Sequence, residues 1–415
     1  MKLVIRYLLS SLIIGSSMLF GGLTSTQAQP GQTDLSKVDV NYVYNPEAPV
    51  QINSRVAKND TDAVVFLQVI SRPGITLPTV QYEIRADYTT ETVLSTQSLV
   101  ASQLIKEEGE AAYYRVIIPL QENASYMFLY VTLSVGGAEL PMRFDVALDN
   151  DQNFPLSSLL LMRESEDIPV FSNYIPQDQS VRLVSLDESD SVAYSYYYGQ
   201  SFDANPPPLS TRREAQQKLT VDSLLRVSLD APMSFENKGL YFVQLDTTSL
   251  SGISFRVEDA YYPRLVRVEE LTEPLRYIST SEEVAELEDP ENPKLALDSY
   301  WIRVARSQER AKMIIRDYYQ QVAKANQLFT TYKEGWKTGM GMIYTLYGKP
   351  DDVYRDGDKE VWIYAADNNL VNTSFTFTKV KNIFTDQHYN LMRDEDFKRF
   401  WFRNIDLWRK GRKTL

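Results

Sequence analysis

Residues 335–351 read Gly-Trp-Lys-Thr-Gly-Met-Gly-Met-Ile-Tyr-Thr-Leu-Tyr-Gly-Lys-Pro-Asp, and this segment organises the second half of the chain. Gly335 and Gly339 lie on either side of Trp336 and predict a tight turn. Glycine adopts positive φ at little cost, and a buried tryptophan can anchor a turn to a core. From Met340 to Tyr347 the side chains alternate between two apolar faces, which predicts a β-strand. The run 348–352 then predicts a tight turn.

On either side of this segment the pattern predicts helices before it and a small antiparallel sheet after it. Thr280 to Glu283 has capping-box spacing, Asn292 is followed by a proline, and Ser307 precedes an apolar stripe that ends at Phe329. These signals predict helices over about 281–287, 294–305 and 307–329. Further strands are predicted at 353–355, 360–365 and 374–380.

This half of the chain resembles the bacterial proteins that carry the domain named for its Gly-Trp-any-Thr-Asp signature, the GWxTD domain. The resemblance covers about residues 255–381, and it departs from the signature at Gly339, where the family usually has Asp. It implies an exported bacterial protein and no established enzymatic activity. The residues that match, and that we expect to be structural, are Gly335, Trp336, Thr338, Gly341, Ile343, Tyr344, Tyr347, Gly348, Pro350, Asp351 and Trp362.

The first half of the chain shows period-2 runs separated by turn residues, which is typical of β-sandwiches. A chain of 415 residues is too long for one hydrophobic core. We predict a multidomain, mainly β fold with an α+β C-terminal part, in which two sandwiches resemble immunoglobulin-like modules. The predicted units are a signal peptide at 1–28, β-sandwich 1 at 29–150, β-sandwich 2 at 151–265, a helical region at 266–330 and a GWxTD-type domain at 331–415.

The candidate strands of the two sandwiches are short and regularly spaced. In the first they lie at 38–44, 50–56, 63–70, 80–88, 91–99, 111–119, 125–135 and 138–148. In the second they lie at 158–163, 181–186, 191–198, 219–229, 239–246 and 252–259. Between them, residues 149–153 resemble the start of a calcium loop, but Phe154 stands where such a loop needs glycine. We therefore interpret this segment as a polar turn.

Residues 1–28 have the features of a cleavable export signal. Lys2 and Arg6 are followed by the largely apolar run 8–23, and small residues precede a predicted cleavage site after Ala28. The alternative is a retained membrane anchor, which the serines and glycines of the apolar run disfavour. We expect a periplasmic or secreted protein.

Composition narrows the function classes. The formal net charge of −12 disfavours nucleic acid as a partner. The chain has no cysteine, which excludes thiolate metal sites and cysteine nucleophiles, and its single histidine, His388, cannot form a site of several histidines. Phosphate loops, dinucleotide fingerprints and metalloprotease helix motifs are also missing from the sequence, so we expect no metal and no cofactor.

Two groups of residues are candidates for chemistry. Asp351, Asp352 and the pair Asp356 and Asp358 lie near aromatic residues, as paired carboxylates do in glycoside hydrolases. The alternative is ordinary turn chemistry, since each of these acids falls in or beside a predicted turn. His388 is the remaining candidate, and a structural role is the alternative for it too. The tyrosines in 195–198 could stack on a glycan or simply cover both faces of a strand.

The C-terminal segment combines basic and aromatic residues, and residues 394–410 are predicted to form a helix. One interpretation is a helix docked by its aromatic side, with cations near its C-terminus. The other is a contact for an acidic partner or an anionic membrane surface. The candidate contact residues are Lys398, Arg399, Trp401, Arg403, Trp408, Arg409 and Lys410.

Three functional hypotheses follow. The first is an exported, non-catalytic scaffold or interaction module that binds other envelope proteins. The second is a carbohydrate-active or peptidoglycan-processing enzyme that uses Asp351 and Asp352. The third is a glycan-binding module that uses Trp336, Trp362 and the tyrosines. If the Trp336 ring is buried, the signature is a mark of the fold, and if it lines a cleft beside Asp351, it is a site.

Overall fold

The computed structural model describes residues 34–412 except 77, 136–137, 149–155, 188, 210–217, 289 and 366–371. The predicted signal peptide with its cleavage site after Ala28 lies outside the described residues, as does the polar segment at 149–153. The described chain is mainly β, with several antiparallel sheets and a smaller number of helices.

The first block contains two four-stranded sheets that share one core. One sheet has the order β1-β2-β6-β5 and the other β4-β3-β7-β8, with every neighbouring pair antiparallel. Alternate side chains such as Val65, Leu67 and Leu129 point into the shared core. The strands are β1 Val50–Lys58, β2 Asp62–Ser71, β3 Val80–Arg85, β4 Val93–Ser98, β5 Leu104–Glu108, β6 Ala111–Pro119, β7 Tyr126–Val135 and β8 Ala138–Ala147.

The predicted strand at 38–44 is wrong. Within this segment Asn41–Tyr44 forms a short 3-10 helix, and a second one, Leu35–Lys37, precedes it. Asp34 Oδ1 accepts a hydrogen bond from Ser36 N at 3.2 Å, and Asp39 Oδ1 accepts one from Asn41 N at 3.0 Å. These local bonds offer the backbone an alternative to a sheet ladder, which a reading of hydrophobic alternation does not register.

The second block combines a five-stranded sheet of order β10-β15-β14-β12-β13 with the pair β11-β9. The β10–β15 pair is parallel, whereas the other pairs are antiparallel. Tyr197 packs against the core of this block, and Tyr198 packs on the opposite side in a separate cluster. The strands are β9 Leu159–Arg163, β10 Tyr174–Pro176, β11 Val181–Ser185, β12 Val192–Tyr198, β13 Ser223–Ser228, β14 Gly239–Gln244 and β15 Ile253–Glu258.

The helices before the signature form where their caps predict. Thr280, Asn292 and Ser307 each accept a hydrogen bond from the backbone N–H three residues later, which satisfies donors that a helix start leaves free. They precede α2 Ser281–Glu288, α3 Pro293–Ala305 and α4 Gln308–Phe329, and the sequence does not single out the shorter α1 Val268–Thr272.

The predicted strand over Met340–Tyr347 is also wrong, because Gly339–Tyr347 forms a helix, α5. Thr338 caps it, and Gly348 ends it at φ +80°. The residues from 339 to 346 are all buried. A helix buried on every side is apolar on every side, so hydrophobic periodicity cannot distinguish it from a buried strand.

The chain ends in a four-stranded antiparallel sheet and a helix. The sheet has the order β16-β17-β18-β19 and the helix, α6, docks through Trp401 and Trp408. One core joins these elements to α3, α4 and α5, so the domain boundary predicted at residue 330 falls inside it. The elements are β16 Asp352–Asp356, β17 Lys359–Tyr364, β18 Thr373–Lys379, β19 Tyr389–Leu391 and α6 Phe397–Arg409.

Candidate functional site

The Gly-Trp turn is seated directly on helix α4. An added Cβ at Gly335 would overlap the Ala325 carbonyl oxygen, so only glycine fits this approach. Asn326 Oδ1 accepts a hydrogen bond from Trp336 N at 3.1 Å, and the Trp336 ring is only 2% exposed. The ring packs edge-on against Tyr277 at a centroid distance of 5.9 Å. Trp336 is therefore part of the core, as a structural role of the signature requires.

Thr338 and Gly341 join the turn to helix α5. The Thr338 hydroxyl donates to Gly335 O at 2.8 Å and accepts from Gly341 N at 3.0 Å, which caps the helix. A Cβ at Gly341 would overlap the Gly335 carbonyl oxygen. The residue types of the signature thus follow from close backbone contacts within one tight corner, which we call the motif corner (residues 334–341).

Beside the motif corner lies a cavity of about 290 Å³ that is rich in charge. Lys337 is only 4% exposed, and its Nζ lies 3.1 Å from Glu273 and 3.4 Å from Glu334. Arg256 approaches Glu334 at 3.3 Å and Glu258 at 2.6 Å. We call this cavity the motif cavity, and its acidic and basic lining residues are Lys238, Arg256, Glu258, Glu270, Glu273, Glu334 and Lys337.

Each charge in the motif cavity lies close to an opposite charge. Lys238 Nζ is 3.3 Å from Glu258, 2.9 Å from Asp259 and 3.1 Å from Glu270. Burial opposes ionisation of Glu334, but the Arg256 and Lys337 cations outweigh it and lower its pKa to about 2. The network ties the residue before β14, the end of β15, α1 with the residue that follows it, and the motif corner together.

Sequence reasoning missed this network. Arg256, Glu258 and Asp259 lie at the end of a strand, and Glu334 and Lys337 flank the signature tryptophan. The signal available in the sequence was the presence of oppositely charged residues next to positions expected to be buried. Their pairing, however, joins residues about 80 positions apart, which a local reading cannot recover.

The candidate carboxylates Asp351 and Asp352 have different environments. Asp351 Oδ2 accepts a hydrogen bond from Ala365 N at 2.8 Å, which ties the residue before β16 to the residue after β17. Burial raises the pKa of Asp352, and the Asp351 charge adds to the effect. Burial also raises the pKa of the nearby Asp39 to about 6, although the backbone N–H groups of Val353 and Asn41 oppose this. The structure thus adds Asp39 to the candidates.

The other signature residues serve the packing of the terminal sheet. The Tyr344 hydroxyl donates to Tyr44 O at 3.0 Å, and Trp362 Nε1 donates to Glu360 at 2.6 Å. Trp362 is fully buried. The Tyr347 ring packs against the Tyr364 ring at a centroid distance of 5.2 Å. Gly348 ends α5 and accepts from the Tyr364 hydroxyl, and Pro350 is buried in the turn that follows.

The remaining candidates are spread apart. Asp356 and Asp358 bracket the β16–β17 turn, where Asp358 O accepts from Lys379 N at 2.7 Å. His388 packs edge-on against Tyr332 at 5.4 Å and lies in the wall of a different, larger cleft. The structure therefore brings Asp351 and Asp352 to one edge of the terminal sheet and places His388 elsewhere.

The C-terminal helix is docked by its aromatic side, with part of its basic surface exposed. Trp408 Nε1 donates to Leu346 O at 2.9 Å, and the Arg409 guanidinium pairs with Glu283 at 2.7 Å. The cations at 398, 399, 403 and 410 are exposed, and Phe402 beside them is 51% exposed. Trp401, Trp408 and Arg409 therefore attach the helix, whereas Lys398, Arg399, Arg403 and Lys410 face outward.

A cleft of about 840 Å³ lies between the first block, the second block and the terminal sheet. We call it the interdomain cleft. Its lining carries more positive than negative side chains, in a protein whose formal net charge is −12. The cations are Arg55, Arg163, Arg355 and Lys379, and the carboxylates are Asp145 and Asp386.

Across the described ranges, no group of three or more histidine, aspartate or glutamate side chains is arranged to bind a metal ion. In the same part of the chain, no helix combines the length and the apolar character that a membrane span needs.

Comparison with known proteins identifies one family. Residues 239–410 match the family model described as the GWxTD domain. The match begins at β14 and ends just after α6, so it extends beyond the 255–381 range of the sequence resemblance at both ends. No curated protein matches the chain.

Proposed function

Because the chain carries a GWxTD domain, we propose that it is an exported protein of the bacterial cell envelope that acts as a non-catalytic scaffold or interaction module. The observation that carries this proposal is how the signature residues are used. The signature residues make close contacts that build the motif corner; these residues are Gly335, Trp336, Thr338 and Gly341. The large opening lies elsewhere, between the three parts of the chain.

The β blocks are proposed to be immunoglobulin-like modules. The order β1-β2-β6-β5 corresponds to strands A-B-E-D of that fold, and β3-β7-β8 corresponds to C-F-G, with β4 as an added edge strand. The second block departs from this order through its parallel β10–β15 pair. An experimental structure of the chain tests this, and a different strand order in the first block would overturn it.

Export is tested by fractionation of a bacterium that expresses the full chain. We expect the protein in the periplasmic or extracellular fraction, with a mature N-terminus at Gln29 by mass spectrometry. A matched chain without residues 1–28 is expected to stay in the cytoplasm. Cytoplasmic retention of the full chain would contradict the proposal.

The scaffold role is tested by site-specific crosslinking in intact cells. A photoreactive residue at Gln51 in the interdomain cleft is expected to give discrete adducts of higher mass. The same residue at exposed Lys312 on α4 is the control and is expected to give none. Equal labelling at both positions, or none at either, would count against a specific interaction surface.

A second candidate function is hydrolysis of an envelope glycan. It is favoured by the raised pKa values of Asp39, about 6, and Asp352, because a carboxyl with a raised pKa beside a second carboxyl suits general acid catalysis. The double variant Asp351→Asn/Asp352→Asn keeps the turn. If it folds and complements a deletion strain as well as wild type does, an enzyme that uses Asp351 and Asp352 is excluded.

A glycan-binding module that uses the signature tryptophans has less support, because Trp336 and Trp362 are both buried. The exposed cations of α6 support a different contact, with an anionic membrane surface. Flotation with vesicles of about 30% anionic lipid tests it. We expect Lys398→Glu/Arg399→Glu/Arg403→Glu to abolish flotation, and unchanged flotation would contradict the membrane contact.

A further inference from the structure

The interdomain cleft has one wall made by the edge of a sheet. Six consecutive residues of β1, 51–56, line it, together with residues 144–147 of β8. The opposite walls are residues 169–174 of the second block and residues 384–389, which lead into β19 and include its first residue. The cleft is therefore long in the direction of a strand.

Within the described ranges β1 pairs with a single strand, and at its end Lys58 N also donates to Ser157 O at 3.0 Å. It pairs antiparallel with β2 from Val50–Ser71 to Lys58–Ala63, and it is the terminal strand of its sheet. In such a strand, alternate residues direct their backbone N–H and C=O groups away from the partner. An edge strand of nine residues is a template for another extended chain unless it is covered.

The side chains around β1 favour a negatively charged occupant. The Arg55 guanidinium donates to three neutral acceptors, Ser54 O, Val170 O at 3.0 Å and Asn173 Oδ1 at 2.7 Å. Burial lowers its pKa to about 10, and the Asp386 charge opposes that shift only in part. A desolvated cation with neutral partners gains free energy when a carboxylate approaches it.

A second cation lies on the same cleft. The Lys379 ammonium is 5.9 Å from the centroid of the Tyr389 ring, in a cation–π arrangement. By contrast, the Arg355 guanidinium on this cleft is already matched by Asp145 at 2.9 Å and Glu360 at 2.9 Å. The charges of Arg55 and Lys379 are therefore matched less closely by carboxylates of this chain than the charge of Arg355 is.

We propose that the interdomain cleft binds an extended acidic peptide segment of a partner protein, which adds as a strand along β1 and places its carboxylates against Arg55 and Lys379. This rests on the proposed scaffold function and names the chemistry of its partner. Strand addition supplies affinity through the backbone, and charge supplies selectivity. An acidic glycan shares the charge but lacks the backbone donors and acceptors that β1 would pair with.

The test uses the mature full chain, residues 29–415, and fluorescent ten-residue peptides followed by anisotropy. The sequence of the acidic probe peptide is built from alternating threonine, valine and glutamate residues. The matched peptides replace glutamate with lysine, or replace central residues with proline so that the backbone cannot pair. We expect the acidic peptide to bind at micromolar concentration, and both matched peptides to bind at least about tenfold more weakly.

Variants then locate the site. Arg55→Gln is expected to weaken binding of the acidic peptide about tenfold or more, and Lys379→Gln about threefold. Arg316→Gln removes an exposed cation on α4 and is expected to change nothing. Hydrogen exchange is expected to slow at alternate backbone amides within residues 51–56 when peptide is added, which reports strand addition in protein that is still folded.

Several results would overturn the proposal. They are equal binding of the acidic and proline peptides, unchanged binding by Arg55→Gln, or binding of polygalacturonate with none of the peptide. The crosslinking experiment at Gln51 separates this failure from failure of the scaffold role. Adducts in cells without peptide binding would leave the scaffold standing and remove the acidic peptide as its partner.

Discussion

The motif cavity and the interdomain cleft differ in how their charges are matched. In the motif cavity, Lys337 and Arg256 each lie within 3.5 Å of two carboxylates, and the space enclosed is about 290 Å³. In the cleft, Arg55 donates to neutral oxygens, and the space is about 840 Å³. The GWxTD signature lies beside the motif cavity, and the space for a partner lies in the interdomain cleft.

This difference separates what identifies the domain from what it can bind. Closely matched buried charges fix the relative positions of the segments that carry them, because removal of one partner leaves the other desolvated. A desolvated charge that lacks a close opposite charge is stabilised when a ligand of opposite charge binds beside it. We therefore expect substitutions in the motif corner to act on stability and substitutions in the cleft to act on binding.

The largest effect is expected at Gly341, where the backbone contact is closest. Gly341→Ala places a methyl group on the Gly335 carbonyl oxygen, so helix α5 must move away from the turn. We expect a loss of about 3 kcal/mol or more in the free energy of unfolding, measured by urea denaturation.

Gly109→Ala is the matched control for that substitution. Gly109 has φ +60° with no atom close to the added Cβ, and the cost there is expected to be about 1 kcal/mol. Equal losses at the two positions would show that the contact with Gly335 is not what selects glycine in the signature.

Next in size is the loss of one charge from the motif cavity. Lys337→Met leaves Glu334 and Glu273 without that cation, and we expect a loss of about 3 kcal/mol at pH 7. Lys294→Met, which breaks an exposed pair, is expected to cost under about 0.5 kcal/mol. A cost no larger at Lys337 than at Lys294 would contradict a structural role for the network.

The same network predicts a pH dependence. The pKa of Glu334 is lowered to about 2, below its unfolded value, so its contribution to stability is present above about pH 5 and is lost as the pH falls toward 2. We expect the stability gap between wild type and Lys337→Met to narrow across this window. A gap that stays constant from pH 7 to about pH 3 would indicate that the effect of Lys337 is packing, not charge.

A smaller effect of opposite sign is expected at Asp39. Its pKa is raised to about 6, so the native state binds more protons than the unfolded state between about pH 4 and 6, and stability falls as the pH rises through that window. Asp39→Asn retains an oxygen that can accept from Asn41 N and Val353 N. We expect a gain of about 1 kcal/mol above pH 6 that vanishes below about pH 4.

The control for Asp39 is Asp60→Asn in an exposed turn, for which no such crossover is expected. Thermal unfolding measured across the pH range checks both variants. If Asp39→Asn destabilises the protein at every pH, the ionised carboxylate is needed for its hydrogen bonds, and burial is not the dominant effect.

The smallest effect on stability is expected in the cleft. Arg55→Gln removes a desolvated cation and keeps a side chain that can donate, so the free energy of unfolding should change by less than about 1 kcal/mol. A loss comparable to that of Lys337→Met would remove the distinction between the two regions.

Local signals in the sequence predicted the fold where the chain makes its own contacts. The caps at Thr280, Asn292 and Ser307 and the stripe that ends at Phe329 located the helices. The alternation in residues 111–119 gave β6 with its bounds. The same reasoning failed for α5, where burial on all sides removes the periodicity that would distinguish a helix.

The sequence by itself determined the GWxTD signature, the helix caps and most of the strands, because these depend on neighbours along the chain. Only the tertiary structure decided that Trp336 is buried, that Lys337 is matched by Glu273 and Glu334, and that Arg55 faces a cleft. Apart from the Lys337–Glu334 pair, whose residues are three positions apart, those properties depend on residues tens to hundreds of positions apart. Their free energies come from desolvation and charge pairing, which exist only once the segments have packed together.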